Sequence, residues 1–211
     1  MQQKSMMSFC LEGKATLLPP KKSPPDKSTK IEGALIDAMY CIPKKSVSVE
    51  FLQRLKRELT MIPQDNGYGQ STASFEAFID CTDYLKVPRF FGCARFGWTE
   101  NDATVPGMEL SAEFKGRLNP IQIEATSAVI EQVSREPHAG ILVLPCGYGK
   151  TVCALYLAHK LGRRLLVLVH KSFLVEQWHE RAKTFLPTAT VGKIQQNTVD
   201  GDADVVVAMV Q

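Results

Sequence analysis

The residues best suited to chemistry lie in "ILVLPCGYGKTVCALYLAHKL", Ile141–Leu161, where an apolar run meets Gly147-Tyr148-Gly149-Lys150-Thr151 and a helix-like segment follows at once. Glycines let a backbone curl until several N–H groups face one concavity. The start of a helix adds unpaired donors and a partial positive charge. Lys150 can then reach β- and γ-phosphate oxygens, and the Thr151 hydroxyl can ligate Mg²⁺. Residues 147–151 therefore read as a cradle for a triphosphate, with Mg²⁺ on the Thr151 hydroxyl. Leu144 stands where the general G-x-x-x-x-G-K-[ST] pattern has its first glycine. Cys146 beside the helix start reads either as an oxidisable thiol or as a small, shielded filler.

Two further constellations could touch ligand. Gln122 in "LNPIQ" can give and take one hydrogen bond at an adenine edge; it equally completes a capping box with Asn119. Phe114 or Arg117 could flank a base. In Val169-His170-Lys171-Ser172, an apolar run passes into a helix start with a lysine beside it. That arrangement suits a nucleic-acid phosphate, or is simply a capped helix with a solvated lysine. Trp178 shares a stripe with Leu174 and Ala182, which favours a core position over a base-stacking one.

Positioning these groups requires an α/β core. Ile141–Leu144, Leu165–Val169 and Val205–Val210 are apolar runs without clean alternation, as expected of parallel strands covered on both faces. Helices are expected over Thr151–Leu161 and Phe173–Phe185, and another from Pro120 behind Asn119. The order strand-helix-strand-helix-strand gives a parallel sheet with flanking helices. Residues 31–110 read as a small α+β domain. Its expected parts are a strand in "ALIDAMYCI", a helix capped by Ser48, a strand in "LTMIP", and strand-like pattern through "FEAFIDCTDYLKVPRFFG". A polar loop separates the last two, and "GWTENDATVPGMEL" reads as a linker or surface loop. Residues 1–30, rich in proline and lysine, read as a disordered arm.

The 211 residues carry a net charge of +3, and the first thirty hold six lysines against Glu12 and Asp26. The basic excess thus sits in the arm, so nucleic-acid binding has to rest on particular sites. Six scattered cysteines without a C-x-x-C pair give no support to a zinc site and suggest a reduced, intracellular chain, cytoplasmic or nuclear. No apolar run has the length of a membrane span, and no secretory signal is evident.

"LPCGYGKT", preceded by "LNPIQ" and followed by "LLVLVHKSFLVEQWHERAKTFLP", resembles superfamily 2 helicases of the XPB-like branch, most closely those of nucleocytoplasmic large DNA viruses. The resemblance accounts for Leu144, since that branch resembles L-P-C-G-x-G-K. It is specific across about residues 84–211, weaker across 31–83 and absent in the arm. It implies a RecA-like first half beginning near residue 111, ATP and Mg²⁺ at Gly147–Thr151, and adenine at Gln122. It also implies nucleic acid, DNA in the first instance, at His170, Lys171 and Ser172, with transcription or replication machinery as partners in a viral setting. The family's D-E-x-[DH] sequence is absent from the 211 residues. "DADV" at Asp202–Val205 enters a strand instead of leaving one and reads as a polar turn. The expectation is therefore an amino-terminal helicase piece with an incomplete RecA-like domain, binding nucleotide without turnover. A small kinase-type enzyme would need an acceptor-binding lid and an acidic strand end after the third strand, and the 211 residues offer neither. A non-enzymatic DNA- or partner-binding module with a vestigial nucleotide site is the alternative.

Overall fold

The computed structural model describes residues 16–17, 30–62, 73–135 and 138–210. The chain is mixed α/β and divides into two compact units, one of Lys21–Val105 and one of Met1–Pro20 with Pro106–Gln211. Within the stretch expected to be an arm, Thr16–Leu17 (β1) pair antiparallel with Leu142–Val143 in the second unit. That departs from the expected arm at two residues, where an otherwise unpaired strand edge gains a partner. The rest of residues 1–29 lies outside those described.

In the first unit Leu35–Ile36 (β2), Tyr40–Pro43 (β3), Ile79–Asp80 (β6) and Tyr84–Val87 (β7) form an antiparallel sheet of order β2-β3-β7-β6. Thr60–Met61 (β4) and Phe75–Glu76 (β5) form a separate ladder. Helix α1, Val49–Leu59, starts where expected, because the Ser48 hydroxyl accepts the Phe51 N–H at 3.2 Å. The core gathers Ile36, Tyr40, Ile42, Leu55, Leu85, Val87 and Phe96.

Two readings of this unit need correction. "ALIDAMYCI" is a hairpin, turned at Asp37, whose carboxylate accepts the Met39 N–H at 2.7 Å and pairs with Lys86. The strand-like run after Phe75 ends in a helix, Arg89–Phe96 (α2), which begins directly after Pro88. The stretch read as a linker or surface loop runs exposed over residues 101–105, tied to the unit where Ile36 and Asn101–Ala103 exchange backbone hydrogen bonds.

The second unit carries Pro120–Val133 (α3), Leu142–Val143 (β8), Lys150–Leu161 (α4), Leu165–Val169 (β9), Ser172–Phe185 (α5), Val191–Gln195 (β10), Thr198–Val199 (β11) and Val205–Met209 (β12). Strands β10, β12 and β9 are parallel, and β11 folds back antiparallel on β10, giving the order β11-β10-β12-β9. Leu155, Ala158, Ala182, Leu186 and Val205 form the core that joins α4 and α5 to the sheet. Residues 107–110, the end of the stretch read from sequence as a linker or surface loop, pack into this core together with 111–115. Leu110 and Ala112 are buried in it, and Leu110 N–H and Lys115 N–H donate to Gly162 and Phe185 carbonyls.

The expected sheet differs in two respects. The run Ile141–Leu144 yields only the two-residue β8, because the turn after Pro145 cuts it short, and β8 bonds to β1, not to the parallel sheet. Strand β12 is covered on both faces, but β9 on one only: Val167 and Val169 are buried, whereas Leu166 and Leu168 are exposed.

The bend at Asp202–Asp204 pins two strand entries together. Asp204 Oδ2 accepts from Thr190 N and Oγ1 at 2.9 and 2.8 Å, and Asp204 N–H donates to Thr190 Oγ1 at 2.9 Å. The Thr190 N–H, aided by its hydroxyl and by Arg164 and opposed by burial, holds the Asp204 carboxyl below its usual range. A depressed folded pKa stabilises the fold above the unfolded value, near 4, and that stabilisation is lost as pH falls through the folded one. Asp204→Ala should lower the unfolding free energy at pH 7 by about 1–3 kcal/mol. The gap from wild type should narrow in urea melts repeated at progressively lower pH below that value.

Candidate nucleotide site and nucleic-acid interface

The turn after β8 is bent by its glycines. Gly147 and Gly149 have φ of +82° and +74°, a left-handed region in which residues with a Cβ are strained. Tyr148 N–H donates weakly back to the Pro145 carbonyl at 3.4 Å, and Gly149 caps helix α4, so Lys150 and Thr151 open its first turn. Nothing on Gly149 caps the helix with a side chain, which leaves first-turn N–H groups unclaimed by side chains and the positive end of the helix dipole at the loop.

The Lys150 ammonium donates to the Leu144 and Pro145 carbonyls at 2.8 and 2.9 Å. It reaches across the mouth of its own loop and lies at the surface, not packed into the interior. Both acceptors belong to the two residues that lead into the turn. Sequence spacing gives no sign of this contact, since its acceptors are backbone atoms.

Gln122 is buried, with 9% of its surface exposed. The capping box is formed: Asn119 N–H donates to Gln122 Oε1 at 3.0 Å, and Gln122 N–H to Asn119 Oδ1 at 2.9 Å. In addition Gln122 Nε2 donates to the Tyr148 carbonyl at 3.1 Å, which brings α3 onto the loop. One amide hydrogen and one Oε1 lone pair remain for an adenine edge. Ala125, Leu144 and Cys153 pack beneath these contacts.

Cys146 is exposed, which corrects the shielded-filler reading; the Cys153 thiol, one turn into α4, is buried, and burial pushes its pKa up. Phe114 is not free to flank a base. Its ring stacks on Phe185 at 5.6 Å between centroids and meets Tyr156 edge-on at 5.3 Å. Arg117 is exposed and unplaced relative to any ligand.

His170, Lys171 and Ser172 are all exposed where β9 passes into α5. Lys171 is the N-cap residue, in extended conformation and without a side-chain cap, so this 14-residue helix presents its first amides beside a lysine. Trp178 is half-buried against both sheet clusters, a core position. Among the described residues no group of three or more His, Cys, Asp or Glu side chains gathers to hold a metal, and no helix is long and apolar enough to cross a membrane.

The family described as "Type III restriction enzyme, res subunit" matches residues 115–211, the segment that contains the Gly147–Thr151 turn and the β9–α5 turn. A protein of Acanthamoeba polyphaga mimivirus, named as an ATP-dependent RNA helicase, is 31% identical over 179 residues, 82% of this chain and 34% of that relative. Residues 115–211 belong to the superfamily 2 helicases. Two further helicases agree. The helicase 109L of Invertebrate iridescent virus 3 is 30% identical over 111 residues, 50% of this chain and 33% of its own length. The DNA repair helicase/translocase XPB-R of Trypanosoma brucei brucei is 30% identical over 86 residues, 41% of this chain and 11% of its own. The chain thus spans about a third of the first of these helicases. The family match begins at residue 115, yet the helicase segment's own packing extends upstream to Leu110.

Proposed function

We propose that the chain is the nucleotide-binding part of an ATP-dependent helicase, with a RecA-like half built on the parallel sheet. The observation that carries this is Gly147–Thr151. Two left-handed glycines lead straight into an uncapped helix start, and the only lysine of the loop lies across its mouth. ATP would lie with its phosphates on the Gly147–Thr151 amides and Lys150, with Mg²⁺ on the Thr151 hydroxyl and adenine on the free edge of Gln122. When bound, Mg²⁺ would neutralise β- and γ-phosphate charge. The residues present fit that role only in part: Thr151 is a suitable oxygen ligand, but the sequence offers no Asp-Glu pair to complete the metal shell. The 211-residue chain should therefore bind ATP·Mg²⁺ and not turn it over. Titration with a fluorescent ATP analogue, displaced by ATP more readily than by GTP, tests the binding. Steady hydrolysis stimulated by DNA would overturn the prediction of no turnover.

Nucleic acid, DNA in the first instance, would run past His170, Lys171 and Ser172. One relative is named for RNA and another for DNA repair, so both polymers belong in the assay. Lys171→Glu should weaken single-stranded binding several-fold and reduce the salt slope by about 1. An unchanged slope in fluorescence anisotropy at three salt concentrations would remove Lys171 from the interface. Two of the relatives are viral, which supports a viral or infected-cell setting, with transcription or replication machinery as the partner class.

A further inference from the structure

We infer that Gln122 is a positioning residue for the phosphate loop, holding the Tyr148–Gly149 peptide from helix α3. This rests on the nucleotide reading of Gly147–Thr151 and is separate from any contact Gln122 makes with a base. The capping box commits Gln122 Oε1 to the Asn119 N–H, 3.0 Å away, which fixes the plane of the amide. Its Nε2 is thereby directed to the Tyr148 carbonyl, 26 residues on in the chain, at 3.1 Å. The Tyr148 carbonyl and the Gly149 N–H belong to one planar trans peptide and point in opposite directions. Holding the carbonyl against α3 turns the Gly149 N–H away from α3, where an anion can take it.

Gly149 is what permits this close approach. A Cβ there would stand 2.5 Å from Gln122 Nε2, and its φ of +74° already disfavours one. The support behind Gln122 is rigid. Thr126 Oγ1 donates to the Gln122 carbonyl at 2.8 Å, and Ala125 packs against Leu144 and Cys153 on either side of the loop. Without the Gln122 tether the Tyr148–Gly149 peptide, with a glycine torsion on its far side, would rotate more freely.

The test separates loop from base by using inorganic tripolyphosphate with Mg²⁺ beside ATP and GTP. Gln122→Glu keeps the length and the acceptor for Asn119 N–H but puts an oxygen, not a donor, against the Tyr148 carbonyl. Loss of one hydrogen bond of this kind should weaken tripolyphosphate by about three- to tenfold, and ATP and GTP by at least as much, at an unchanged helix content by circular dichroism. Gln122→Met, which introduces no charge, should do the same and serves if the glutamate variant does not fold. Weakened ATP with unchanged tripolyphosphate would overturn the inference and leave Gln122 acting on the base alone. The nucleotide reading fails by a different result: Lys150→Ala binding ATP and tripolyphosphate as wild type does.

Discussion

Lys150→Ala should lower affinity for ATP·Mg²⁺ by roughly ten- to a hundredfold, the cost of losing a hydrogen bond to a charged group, while changing thermal stability little. The two halves of that expectation come from the same observation. In the free chain the ammonium rests on the Leu144 and Pro145 carbonyls at the surface, so its removal leaves two acceptors that water can satisfy. In the complex the same ammonium would face the concentrated negative charge of the β- and γ-phosphates, where water is a poor substitute. Lys150→Arg should recover only part of the affinity, because a planar guanidinium cannot replace a compact ammonium at a site that close to the backbone. Isothermal titration of the three proteins with ATP and with tripolyphosphate checks both points. Equal affinities across the three would end the claim that this loop is a phosphate cradle.

What could be read from the sequence was what neighbouring residues decide among themselves. Ser48 caps α1 and Asn119-Pro120 opens α3 because a cap needs only a side-chain oxygen and the amides just beyond it. The start of α4 was legible for the same reason, with Gly149 supplying the left-handed turn. Helix α2 was not: "RFFGCARF" carries aromatic residues at a density that also suits a strand, and only its packing near Tyr40 and Glu58 decides. The turn at Asp37 hides inside an apolar run, since a single Asx-type bond to Met39 is enough to reverse the chain. The tie between Gln122 and Tyr148 joins a side chain to a carbonyl across 26 positions, and residue types carry no record of which carbonyl a glutamine will meet. Which strand β8 pairs with, and which face of β9 is covered, depend on distant segments in the same way.

The uncovered face of β9 carries the second large expectation: at micromolar concentration the 211-residue chain should self-associate, and Leu166→Thr with Leu168→Thr should largely abolish it. Leu166 and Leu168 are 60% and 64% exposed, alternate residues on one side of a five-residue strand. Strand β9 is also the edge of its sheet, bonded to β12 and to no other described strand. Natural edges are guarded by a charge, a proline or a bulge; Leu165-Leu-Val-Leu-Val169 contains neither charge nor proline, and its register with β12 is unbroken. Two leucines on one face beside an open strand edge therefore offer both the apolar contact and the hydrogen bonds that another strand needs. Threonine keeps the strand preference and removes the apolar contact, so the double variant should retain the wild-type far-ultraviolet spectrum while sedimenting as a monomer. Wild-type chain that stays monomeric as concentration rises, or a double variant that associates as strongly, would show that this face does not drive association.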